Sequence, residues 1–186
     1  MVKTFCYSLV CILSLISLLN CNNQNRVELT SAKGTSTCPL DEFGCVFMPI
    51  AGSAGIFEVE LGKVAAQRAI RSSVKKYAAL MIEEHSAINE EYRKLMRRKG
   101  MVPPDTMMRV HLMKIDSLKW LPANQIDSRY AKMMVADHKM AVEMFNKAYK
   151  EAQDPEYKAW LKPMLKVVRM HYKHAQTLLK SIVTTL

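Results

Sequence analysis

Glycine and proline are scarce in this chain, 6 and 7 among 186 residues, so turns are few and long uninterrupted elements are expected. No cysteine pair recurs at a zinc-binding spacing, no Gly-x-Ser-x-Gly marks a nucleophile, and no glycine-rich loop cradles a phosphate. Glu-x-x-His is also missing. Dinuclear iron bundles draw a Glu-x-x-His from each of two helices, so its absence argues against an oxygen-activating di-iron centre or a ferroxidase. Acidic residues are in deficit: 27 Lys and Arg stand against 17 Asp and Glu, a formal net charge of +10. Such an excess attracts anions without choosing among them.

What is present begins with an export signal. Lys3 is followed by an uncharged apolar run from Phe5 to Leu19, too short and too abruptly ended by Asn20 for a membrane span. Leu18-Leu19-Asn20-Cys21 looks like the cleavage box of a bacterial lipoprotein, with Asn20 where a small residue is usual. Residues 1–20 are therefore expected to be a lipoprotein-type signal and Cys21 the lipidated residue; the alternative is an ordinary secretory signal or an uncleaved anchor. The expected location is the cell envelope, outer membrane or periplasm, with the lipid anchor as the membrane partner. Without the signal the chain keeps 26 basic and 17 acidic residues, a net charge of +9. In an exported protein this points to anionic lipid or polysaccharide rather than nucleic acid. Cys38 and Cys45 would meet an oxidising compartment, where they either bridge or remain as two thiols.

Residues 21–46, rich in Asn, Ser, Thr and Gly, read as a flexible tether, and residues 47–183 as one helical domain, with Pro49 in a first turn. Helical spacing is clear from Ile56 to Ile70. A second helix is expected over 73–99, stopped by Gly100, and a short one from the cap Asp105 to Lys119. A third long helix covers 124–151, and a fourth follows Asp154-Pro155 as cap and first residue, with a kink expected near Pro163. Four long helices with short or single-helix connections make an all-α four-helix bundle, with a short extra helix between the second and third.

One segment occurs twice. Tyr77-Ala78-Ala79-Leu80-Met81-Ile82-Glu83-Glu84-His85 returns as Tyr130-Ala131-Lys132-Met133-Met134-Val135-Ala136-Asp137-His138, a self-similarity at fixed offsets. Stripes stepping by three and four place His85, His138 and His171 on the inward faces of three helices, with Glu58 near the inward face of the first. Imidazoles and a carboxylate suit a transition-metal ion, Fe, Zn or Cu. Glu58, His85, His138 and His171 are thus the candidate ligands, and the adjacent acids Glu84 and Asp137 either orient the rings or serve as ligands themselves. The competing reading is that each histidine is a hydrogen-bonded core residue. Met81, Met134 and Met164 flank the histidines and would suit Cu(I), although methionine in a bundle is usually core filling. His111 and His174 read as peripheral.

Phe57-Glu58-Val59-Glu60-Leu61-Gly62-Lys63-Val64-Ala65, the pair Glu84-His85, Ile126-Asp127-Ser128-Arg129-Tyr130, Asp137-His138 and His171 with Ala175-Gln176 together resemble a bacterial ferritin-like family of unknown function. Its members are often labelled predicted outer membrane proteins, many of them lipoproteins. The resemblance spans roughly residues 47 to 180. It implies a ferritin-like four-helix fold in the envelope and no settled enzyme activity. It also marks Glu58, His85, Asp127, Tyr130, Asp137, His138 and His171 as its recurring polar positions, which adds Asp127 to Glu84 and Asp137 behind the ligands. Two functions remain in competition: a bundle that binds a metal ion or small ligand without catalysis, and a structural or interaction module with a basic surface.

Overall fold

The computed structural model describes residues 38–184, and within them the regular elements are all helices. The signal, Cys21 and most of the expected tether lie outside the described residues. Five helices follow in order: α1 Glu42–Arg68, α2 Ser72–Arg98, α3 Arg109–Lys119, α4 Ala123–Glu151 and α5 Pro155–Val183. The long elements match the apolar periodicity to within a residue or two at most ends.

The start of α1 differs. Asp41 accepts a hydrogen bond from the Gly44 amide at 2.8 Å, a side-chain cap that opens the helix well before residue 47. Residues 42–46 are therefore helix rather than tether, and Pro49 lies inside α1 rather than in its first turn. Cys38, just before the helix, forms a disulfide with Cys45 near its start across a Cα separation of 5.9 Å. By length and composition α1 could cross a membrane, yet its Phe47, Phe57 and Leu61 are buried in the bundle, as in the core helix of a folded domain.

At the other expected boundaries, local chemistry decides. Gly100 has φ +66°. Its amide donates to Arg97 O and that of Met101 to Met96 O, closing α2 with paired backward hydrogen bonds. Asp154 caps α5 by accepting from Tyr157 N, with Pro155 as the first helical residue, and α5 continues as one helix through Pro163. Asp105 does not cap α3. That helix starts at Arg109, and Ser53 of α1 reaches across to accept from the Met108 amide at 2.7 Å. A hydroxyl from a packed neighbour thus holds the residue that precedes the helix, whose first turn has no side-chain cap.

Helix α1 packs beside α2 and α4, and α5 beside α4 and α2, so α2 and α4 lie diagonally across the bundle. Helix α3 lies along the flank of α1 and reaches α4. Arg68 ties the end of α3 to that flank by donating to the carbonyls of Leu118, Lys119 and Leu121. Close approach of α1 and α2 needs glycine at position 52, where a Cβ would come within 2.5 Å of Tyr92 Oη.

The core is divided. One apolar cluster contains Phe57, Leu61, Val74, Met81, Ile126, Met134 and Ile182; the other contains Phe47, Met48, Tyr92, Leu95, Tyr157 and Leu161. Along α2, α4 and α5 the chain passes from one cluster to the other through a buried polar residue: His85, His138 and His171 respectively.

Candidate metal centre

The duplicated segment explains how two of these histidines meet. Ala78 and Ala131, and Met81 and Met134, are fully buried at matching offsets on α2 and α4. Tyr77 faces Tyr130 with ring centroids 6.2 Å apart, and two turns later His85 faces His138 at 5.8 Å. His171 enters from α5 and completes a triangle, 5.0 Å from His85 and 5.2 Å from His138. One ring nitrogen from each lies within 4.8 Å of the others. All three residues are at most 7% exposed.

Hydrogen bonds assign the ring nitrogens. His138 Nδ1 is 3.0 Å from Met134 O. A carbonyl can only accept, so Nδ1 carries the proton and the lone pair is on Nε2. His171 Nε2 pairs with the Glu84 carboxylate, which leaves the lone pair on Nδ1. These two lone-pair nitrogens, and Nε2 of His85, are buried without a hydrogen-bond partner. A buried polar atom left so costs about 1 to 3 kcal/mol, and three in one place are what a bound cation would relieve.

The protonation states agree. Burial, reinforced by the repulsion that a proton on His138 or His171 would add, pushes His85 far below the usual imidazole range. Burial also takes His138 down to about 4, with His171 adding to the shift and the Met134 carbonyl opposing it. His171 is lowered by burial against the pull of Glu84. Near neutral pH the three imidazoles are therefore uncharged, the form that coordinates metal.

Glu58 does not join this group. The residue is 6% exposed, and Oε2 has no hydrogen-bond partner. It lines a cavity shared with His85 and His138. Burial and the nearby Asp137 raise its pKa to about 8, with Lys114 opposing. The acids that precede the histidines divide their work. Glu84 holds His171, whereas Asp137 pairs with Lys114 of α3. Asp127 is elsewhere: eleven residues before His138, about 16 Å along an ideal helix, it accepts from the amides of Ile70 and Arg71 at 3.0 Å each. It closes the turn into α2 instead of supporting a ligand.

His111 is not peripheral. The Ser53 hydroxyl that accepts from Met108 N also shares a hydrogen bond with His111 Nδ1 at 2.7 Å, and the ring stacks on Phe57 with centroids 4.9 Å apart. With Lys114 one turn later, His111 forms part of the same cavity wall. That spacing of three on the short helix was the available sequence signal. His174 is exposed, as expected. Met81 and Met134 are core filling.

The fold and site define a helical protein with a buried three-histidine cluster. Residues 30–178 match the family model described as Domain of unknown function (DUF4142), and the chain belongs to that family. It is also similar to the crystal structure of a DUF305 fragment from Deinococcus radiodurans, with a TM-score of 0.67 at 15% identity, covering 77% of this chain and 99% of that one. At that identity the likeness concerns the fold alone. No curated protein matches the chain.

Proposed function

We propose that this protein is a cell-envelope lipoprotein whose ferritin-like bundle binds one transition-metal ion, Fe, Zn or Cu, through His85, His138 and His171. The observation that carries the reading is three unpartnered imidazole nitrogens from three different helices, buried together. Three nitrogen donors with a fourth position open are a familiar arrangement for such ions. Glu84 and the Met134 carbonyl hold two of the rings in the required tautomer, as outer partners of metal-bound histidines do. In the competing structural module, core histidines would be satisfied by hydrogen bonds; here His138 and His171 each use one nitrogen and leave the other unpaired.

The envelope location rests on Lys3, the apolar run and Cys21 in the sequence, and the Cys38–Cys45 disulfide supports an oxidising compartment. Anchor and basic surface would hold the protein against an anionic envelope, lipid or polysaccharide. Metal analysis of the untagged protein after incubation with each ion tests the reading. One ion per chain in the wild type, lost in His138→Ala and kept in His174→Ala, supports it; no bound ion under any loading condition favours the structural module.

A further inference from the structure

Five of the buried polar atoms without a hydrogen-bond partner belong to residues that line one cavity: Glu58 Oε2, His85 Nε2, Asp137 Oδ2, His138 Nε2 and Trp160 Nε1. The cavity measures about 120 Å³ and is walled by residues of both apolar clusters, Phe57 from one and Phe47 and Tyr92 from the other. An apolar hole of roughly 150 Å³ accepts a benzene ring, so this one suits a single ring. Its walls favour that shape. Phe145 meets Phe47 edge-on at 4.9 Å and lies 6.0 Å from the Trp160 ring, while Met144 and Met164 supply polarisable sulfur. Met140, 51% exposed, also lines the cavity and marks its opening to solvent.

We propose that this cavity binds a small uncharged aromatic alcohol of the phenol class, its ring among Phe145, Trp160 and Met164 and its hydroxyl at Glu58. Charge decides the head group. Lys114 is the one Lys or Arg among the lining residues and is already paired with Asp137, so an anionic head would lose its water to apolar walls with no free cation to offset it. A cationic head would approach a chain of net charge +10 and then lose its water to apolar walls. A hydroxyl both donates and accepts, so it satisfies Glu58 in either protonation state. Glu58 and Trp160 stand outside the three-histidine group, and the inference does not require the metal.

Titration of p-cresol into the full untagged chain, metal-free and zinc-loaded, tests it through the indole N–H resonances. Trp160 should shift saturably while Trp120, 86% exposed, stays put. Benzoate and benzylamine should bind at least about tenfold more weakly, a difference of about 1.4 kcal/mol. Ala141→Phe and Ala54→Leu each fill the space and should abolish the shift; if one does not fold, the other carries the control. No saturable shift, equal binding of either charged analogue, or binding that survives the filled cavity would overturn the proposal. Metal content of the same samples separates the two readings: binding of p-cresol by protein that takes up no metal removes only the metal centre, and metal uptake without p-cresol binding removes only this site.

Discussion

Glu58 and the histidines are a few ionisable groups whose burial pulls stability in opposite directions. The unfolded chain takes up protons at His85, His138 and His171 below the ordinary imidazole value of 6.5, whereas the folded chain holds His138 neutral down to about 4 and the other two lowered as well. Stability is therefore lost as pH falls through that window. Glu58 does the reverse. Raised from 4.5 to about 8, it keeps a proton that the unfolded chain releases, so stability falls as pH rises toward 8. Three histidines outweigh one carboxyl on the acid side. The melting temperature of the metal-free protein should pass through a maximum near pH 6.5, and Glu58→Gln should remove the alkaline decline while leaving the acid one; melting followed by circular dichroism between pH 4 and 8.5 checks both. At this scale the sequence told which residues turn inward, because a helix face is periodic. It did not tell which nitrogen each ring leaves free, nor that Glu84 and Asp137, at one offset in the repeat, serve His171 and Lys114 respectively. Those partners lie on other helices.

Among the elements, the repeat has a physical role. Helices α2 and α4 are diagonal, and matching offsets let Tyr77 and His85 meet Tyr130 and His138 at the same levels. Helix bodies and several ends were readable because their determinants are local: the periodic stripes, Gly100 and Asp154-Pro155. The start of α3 and the turn into α2 were not. Ser53 and Asp127 supply their hydrogen bonds from more than fifty residues away in sequence. The close contact of α1 with α2 has a direct test. A methyl group at Gly52 would press on the Tyr92 ring, whose hydroxyl donates to Met48 O at 2.8 Å, and on Pro104 as well. Gly52→Ala should cost about 1 to 3 kcal/mol by overpacking, measured by urea unfolding; a change below about 0.5 kcal/mol would mean the helices separate freely there.

For the whole molecule, the divided core is the organising feature. Two apolar clusters supply the burial that folds the bundle, and the layer between them is where buried polar groups and a cavity coexist. The sequence announced the histidines of that layer but not the cavity, whose walls come from all five helices, including the short α3, where His111 had looked peripheral. The proposed placement in the envelope rests on the N-terminal residues and on the Cys38–Cys45 disulfide. Cys21→Ser should release the protein from membranes into the soluble fraction, read by fractionation; retention on the membrane would mean that another segment anchors it.

In the proposed centre three imidazoles converge on one ion, and the X-ray absorption spectrum of the zinc-loaded protein reads that coordination out. Three imidazole nitrogens are expected at about 2.0 to 2.1 Å, with that signature lost in His138→Ala. A bound ion surrounded only by oxygen, or a spectrum unchanged by that substitution, would contradict it.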